Sequence, residues 1–238
     1  MKLDLSAFEN FGKKGSFEDH YTIIDETDDF FVVFKRYGIP VQVTDNEQMD
    51  LEGFLNAKFG GKVHVLNRID QPVSGLVIFG KTREFTGIFT ELLKNREVKK
   101  TYIALVSGNP NKQTTTLTHY IKKLHNRAMT SDEPLDDDYK LAELEYTLIQ
   151  SFDNYHALKV DLKTGRFHQI RAQMATMGMP IKGDLKYGSR RPNLDRSIGL
   201  LSYKLEFIHP KTGKHYAYTA PFPTNEVLWQ LIDKELIK

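Results

Sequence analysis

The sequence predicts an α+β fold built on a central mixed, mostly antiparallel sheet flanked by helices and loops. Three observations carry this. Segments of period-two alternation come as neighbouring pairs joined by short turns, the pattern of hairpins rather than of strict βαβ alternation. Apolar residues at helical spacing occupy only a few short stretches. The chain has 238 residues, of which 40% are hydrophobic and 27% charged, values of a folded globular protein and not of a disordered or fibrous one. This length favours one large domain over residues 21–238, preceded by an N-terminal arm over residues 1–20.

The elements follow in order. Residues 1–20 lack periodicity and are expected to form a mobile arm or a peripheral strand. Tyr21 to Val43 predicts two short strands around the acidic turn Glu26 to Asp29, closing at Gly38 and Pro40. Residues 49–59 read as a helix. Val63 and Val65 alternate in a strand, a loop follows, and the apolar run Leu76 to Phe79 after Gly75 forms the next strand. Phe85, Ile88, Phe89, Leu92 and Leu93 recur at helical spacing, with Thr82 able to cap the helix start. A strand over 98–106 follows, and then the polar stretch 114–138 reads as containing a long loop with an acidic tip at Asp132, Glu133 and Asp136 to Asp138. LAELEYTLIQSF and YHALKVDLKTG, joined by Asp153 and Asn154, predict a hairpin. A helix is expected from His168 to about Met177, stopped by Gly178 and Pro180. A last hairpin turns around Lys211 to Gly213, and residues 224–237 are expected to form a closing helix.

Composition excludes several classes of function. No apolar run approaches the ~20 residues of a membrane span, and the first twenty residues are too acidic and polar for a signal peptide, so a soluble, cytoplasmic protein is expected. With no Cys there is no disulfide, thiolate nucleophile or cysteine zinc site, although 8 His leave other metal sites formally open. A glycine-rich phosphate loop, a metalloprotease helix motif and a nucleophile elbow are all missing, which argues against a nucleotide cofactor. The net charge of +2 is unevenly spread. Lys159 to Lys214 holds 12 Lys and Arg against 4 Asp and Glu, whereas the rest holds 21 against 27. A concentrated basic stretch suits a polyanion partner, and a solvated face mixed with core strands would look similar.

The chemistry-bearing residues fall in loops and at element ends. Arg68 and Asp70 sit at the exit of a strand beside Pro72, Ser74 and Gly75, where a loop can expose them above a rigid sheet. Taken alone, Asp70 is equally a turn residue or a cap. In KTGRFHQIRAQM, Arg166 and Arg171 flank the start of a helix, an arrangement suited to a phosphate or carboxylate, unless His168 and Gln169 serve only to complete the first turn. Tyr102, within VKKTYIALV, is by itself a half-buried strand tyrosine.

Together, the strings NRIDQPVSGL, VKKTY, TGRFHQIRAQMATMGMPIKGDLKYG and LEFIHPKTG resemble, in this order and spacing, the signature blocks of the RluA-type RNA pseudouridine synthases, over roughly Tyr21 to Pro223. The usual block HRLDxxTSGL here carries Asn67 for the His, Ile69 for the Leu and Val73 for the Thr, and Met179 precedes Pro180 and Ile181 where the family has HPI. The resemblance implies the pseudouridine synthase fold and isomerisation of uridine to pseudouridine in structured RNA, ribosomal or transfer, by a monomer needing no redox cofactor, metal or nucleotide. It places the catalytic aspartate on Asp70, the active-site tyrosine on Tyr102 and the basic partner of the aspartate on Arg171, with Arg166 as second candidate. It gives Arg68 a part in extruding the target nucleotide and Leu200 a place in the uracil pocket. Arg166, His168, Lys182, Arg190 and Arg191 are then expected on the RNA side, with the basic stretch holding phosphates. The rival class is a non-catalytic RNA-binding protein on the same fold, for which Asn67 is the sequence hint.

Overall fold

The computed structural model describes residues 17–43, 50–224 and 226–237. It divides into two compact units, one formed by the chain up to Val98 with Phe207–Ala220, the other by Lys99–Glu206 with Pro221–Lys238. The expectation for an N-terminal arm falls mostly outside the described residues, of which Phe17–His20 form a 3₁₀ turn.

In the first unit, strands β1 (Tyr21–Glu26) and β2 (Phe30–Lys35) pair antiparallel, and β2 pairs antiparallel with β4 (Ser74–Gly80). The short β3 (His64–Val65) also lies antiparallel to β4. The β1–β2 turn is built by Thr27, whose hydroxyl accepts from the Phe30 N–H (3.0 Å) and whose N–H donates to the Phe30 carbonyl (2.8 Å). Every residue of β2 is buried, as in a central strand, and Phe30 stacks on Phe85 with ring centroids 4.6 Å apart. Helix α1 (Leu51–Phe59) starts at Asp50, whose carboxylate accepts from the Gly53 N–H (2.7 Å), and ends at Gly60 in the left-handed conformation. Helix α2 (Arg83–Lys94) is capped by Thr82 as the sequence predicts, and buries Phe85, Phe89 and Leu92.

In the second unit the strands are β5 (Lys99–Val106), β6 (Thr114–Leu124), β7 (Arg127–Ser131), β8 (Lys140–Ser151), β9 (His156–Leu162) and β10 (Leu200–Ile208). They are ordered β10-β5-β9-β8-β6-β7, every neighbouring pair antiparallel. Helix α3 (Gln169–Thr176) and a 3₁₀ turn at Leu185–Tyr187 follow β9. Beyond Glu206, β10 continues into the first unit and pairs with β11 (His215–Thr219) around the expected turn, where the His209 N–H donates to the Lys214 carbonyl (2.9 Å). The architecture is α+β, as expected.

Two expectations need correction. Residues 114–131 form most of a β-hairpin, and only the acidic segment after Ser131 is loop. The alternation was masked because the buried face of β6 carries His119 between Leu117 and Ile121, its ring hydrogen-bonded to the Gln173 amide (3.0 Å). The closing helix is also shorter than expected: α4 spans only Val227–Leu231, and a 3₁₀ turn covers Lys234–Leu236. Gln150 of β8 takes over the backbone groups that would continue it, donating to the Leu231 carbonyl (3.1 Å) and accepting from the Asp233 N–H (2.9 Å). Among the described residues no helix is long and apolar enough to cross a membrane.

Candidate active site

In the first unit, Asp70 opens a turn that leads into β4, its carbonyl accepting from the Val73 N–H (3.0 Å). That turn is fastened to residues 37–38: the Gly38 N–H donates to the Gln71 carbonyl (2.9 Å), the Gln71 side chain returns a bond to the Gly38 carbonyl (2.8 Å), and the Tyr37 N–H donates to Ser74 Oγ (3.0 Å). Upstream, Asn67 pins the loop to β4, accepting from the Ile78 N–H (2.7 Å) and donating to the Leu76 carbonyl (3.3 Å). Asn67, one of the three departures from the family block, thus bonds the backbone of β4. Asp70 itself is half-buried, while Arg68 is exposed and reaches Gln42 at 3.5 Å.

Beneath the turn lies a residue the sequence reading passed over. Lys35 ends the apolar strand β2 and is fully buried. Its ammonium donates to the carbonyls of Arg36 (3.0 Å), Ile39 (2.9 Å) and Gln71 (3.2 Å), three acceptors for three N–H groups. Burial pushes its pKa down to about 7, and the negative charge of Asp70 opposes that descent. The signal in the sequence was a lysine closing the run FFVVF, which a solvent-facing lysine also produces.

In the second unit, Arg171 of α3 is buried and forms a bidentate pair with Asp184, Nε to Oδ2 at 2.6 Å and Nη2 to Oδ1 at 2.9 Å. Asp184 is equally buried, and the adjacent Gly183 sits at φ +82°, where a Cβ would lie 2.8 Å from the Ser197 carbonyl. The Arg171 guanidinium also lies 5.0 Å from the centre of the Tyr187 ring. The Tyr187 hydroxyl accepts from the buried Ala128 N–H (2.7 Å) and bonds His168 Nδ1 (2.9 Å). His168 caps α3 at φ 50° and stacks on Phe167. Asp184 and Tyr187 were not singled out in the sequence, although both stand in its longest motif string.

Arg166 takes a different course from Arg171: it is exposed, and its Nε donates to the Leu141 carbonyl (2.9 Å). Gln169 fills the start of α3, accepting from the Arg166 N–H (2.9 Å) and the Thr164 hydroxyl (2.8 Å). The two guanidiniums therefore do not converge on one anion at the helix start. Tyr102 is buried in β5, paired with Val160 on β9 and Ser202 on β10. Leu200, the first residue of β10, is buried opposite Ala104. Lys182 is half-buried, with its ammonium on Asn193 (2.7 Å) and Glu226 (2.6 Å), whereas Arg190 and Arg191 are exposed. Among the described residues no three His, Asp or Glu side chains are grouped to hold a metal ion.

A sequence model described as RNA pseudouridylate synthase matches residues 29–176, more than half of the chain. The chain belongs to the RNA pseudouridylate synthase family. The match takes in Asp70, Tyr102 and Arg171 and ends before Lys182, Arg190, Arg191 and Leu200. An uncharacterised RNA pseudouridine synthase of Chloroflexus aurantiacus is 33% identical over 180 residues, which cover 74% of this chain and 56% of that protein. Ribosomal large subunit pseudouridine synthase D of Borreliella burgdorferi is 32% identical over 209 residues, 87% of this chain and 60% of that protein. The chain thus spans a little over half the length of these relatives. Human RNA pseudouridylate synthase domain containing 1 shares the fold, with a TM-score of 0.72 at 21% identity over 88% of this chain and 86% of that one.

Proposed function

We propose that this member of the RNA pseudouridylate synthase family isomerises uridine to pseudouridine in structured RNA, with Asp70 as the essential carboxylate. The observation that carries the reading is the Asp70 turn itself. A carboxylate on a strand exit, tied to two neighbouring segments by backbone and side-chain bonds, lies within the residues matched by the family. The reaction breaks the bond from uracil N1 to ribose C1′, turns the base and joins C5 to C1′. Positive character develops at C1′, so an ionised carboxylate beside the sugar stabilises it, attacks it or accepts a sugar proton. Glycosidases use two carboxylates, one as general acid. One suffices here if uracil leaves as an anion and stays bound.

The remaining roles rest on the family resemblance. Tyr102 stacks on the uracil and assists removal of the C5 proton. Arg171 is the basic partner of the catalytic carboxylate, and Leu200 lines the base pocket. Arg68 takes the place vacated by the extruded nucleotide, whose unstacking costs a few kcal/mol. Arg166, His168, Lys182, Arg190 and Arg191 belong to the RNA side of the proposal, with the exposed Arg190 and Arg191 as its best-placed phosphate contacts. Residues 21–238 act as one catalytic domain, and the protein works as a cytoplasmic monomer without cofactor. Ribosomal RNA is favoured over transfer RNA by relatives named for the ribosomal large subunit. Against the rival, a non-catalytic RNA-binding protein, stands the joint presence of Asp70, Tyr102 and Arg171, a set that binding alone does not require.

The test is release of tritium from RNA carrying [5-³H]uridine, since C5 must lose its hydrogen when it joins C1′. Wild type should release tritium from ribosomal RNA stripped of its modifications. Asp70→Asn, nearly isosteric, should release none while keeping its circular dichroism and RNA affinity. Turnover by the purified Asp70→Asn protein would remove the proposed mechanism.

A further inference from the structure

We propose that the tip of the β6–β7 hairpin and the adjoining 3₁₀ turn form a pre-assembled contact for the RNA backbone, built from Lys123, Arg127 and Lys186. The inference rests on the RNA reading above and adds a surface that mostly lies outside the basic stretch seen in the sequence.

The tip is held rigidly against the rest of its unit. The Ala128 N–H donates to the Tyr187 hydroxyl (2.7 Å), Lys186 Nζ to the Asn126 carbonyl (2.9 Å), and Thr130 and Thr176 share a hydrogen bond (2.6 Å). Ile121, Ala128, Ala172 and Tyr187 pack in one buried cluster under it. His125 turns the chain at φ 51°, a value that a non-glycine residue adopts at some cost. A surface so braced loses little conformational entropy when it binds.

Charge is sorted by strand face. Side chains of Lys122 and Lys123 point to opposite faces of β6. Lys122 takes the acidic segment, reaching Asp136 at 2.7 Å and Asp138 at 3.1 Å. Lys123 lies instead over the Phe167 ring at 4.8 Å, and Arg127 over Tyr187 at 5.3 Å. Ring contact steadies these cations without neutralising them. Lys123, Arg127 and Lys186 are exposed and have no carboxylate partner among the described residues. Elsewhere in the same unit Lys159, Lys182 and Lys204 are each paired with an acid. Three uncompensated cations on one braced tip fit a polyanion whose charges are regularly spaced, and the family reading makes it RNA.

The experiment measures RNA affinity of the whole chain against salt. For Lys123→Gln with Lys186→Gln, log affinity against log salt should flatten by about 1.4 to 1.8, two contacts at about 0.7 to 0.9 each. At about 0.1 M salt binding should weaken roughly ten-fold or more. Lys204→Gln, whose charge is already met by Glu206 at 3.1 Å, should keep the wild-type slope. Both altered lysines are exposed, and unchanged circular dichroism shows that the fold is kept. A wild-type slope in the double variant, with wild type active on the same RNA, overturns the surface alone. A wild type that neither binds nor modifies RNA overturns the surface together with the proposed function.

Discussion

Lys35 gives the most direct physical test of the Asp70 site. In the unfolded chain its ammonium holds the proton up to about pH 10.5, whereas in the folded protein it releases it from about 7. Between those values the unfolded state binds more protons, so stability rises with pH through this window and the gain is lost progressively as pH falls from about 10.5 to about 7. At about 1.4 kcal/mol per pKa unit, the lowering amounts to roughly 5 kcal/mol across the window, with a slope of up to about 1.4 kcal/mol per pH unit. Lys35→Met keeps the length of the side chain and removes both the titration and the three bonds to carbonyls. Urea unfolding followed by far-ultraviolet circular dichroism, at intervals from pH 6.5 to 10.5, gives the difference between wild type and variant, in which other titrations cancel. That difference should move by several kcal/mol in favour of wild type as pH rises. Asp70→Asn should extend the window to lower pH, because the carboxylate is what opposes the descent. A flat difference between wild type and Lys35→Met would show that Lys35 titrates as an ordinary lysine, and the buried-cation account of this site would fall.

Three further outcomes follow from the geometry. Tyr187→Phe leaves the buried Ala128 N–H without its acceptor and should lower stability by about 1–3 kcal/mol; hydrogen exchange at Ala128 should speed up, and unchanged protection there would contradict the bracing role. Arg190→Ala with Arg191→Ala should weaken RNA binding and flatten its salt slope by about 1.4 to 1.8, whereas an unmoved slope would place these arginines on a merely solvated loop. Tritium release should survive exhaustive chelation, and a loss restored only by a divalent ion, with the RNA fold unchanged, would count against the reaction proposed.

What the sequence made legible was local. Pairs of alternating segments, the Thr82 cap and the Gly178–Pro180 stop each depend on residues a few positions apart, and each stands where it was expected. The motif strings carried the candidate residues Asp70, Tyr102 and Arg171 because their spacing was itself the signal. The partners of those residues were not legible. Asp184 meets Arg171 across 13 positions, and Tyr187 meets Ala128 across 59, separations at which periodicity says nothing. Lys35 and His119 failed for a second reason: polar residues on buried faces look like surface until their acceptors are known. The closing helix failed for a third, since its end is set by Gln150 on a distant strand and not by its own sequence.

Among the described residues, the buried cations Lys35 and Arg171 differ in a way that bears on the chemistry. Arg171 is permanently charged, and Asp184 accepts from it through two short parallel bonds. Removing one partner would leave the other buried and unpaired, a change that typically costs about 3–5 kcal/mol. Lys35 is held by carbonyl dipoles and by the nearby charge of Asp70, and it can shed its proton near neutrality. A guanidinium could not do so, and its planar fork would not match three carbonyls converging on one nitrogen. Of the two, therefore, only Lys35 can make the field around the Asp70 carboxylate depend on pH between about 6 and 8, and any such dependence in the reaction should vanish with Lys35→Met while the Arg171–Asp184 pair stays intact.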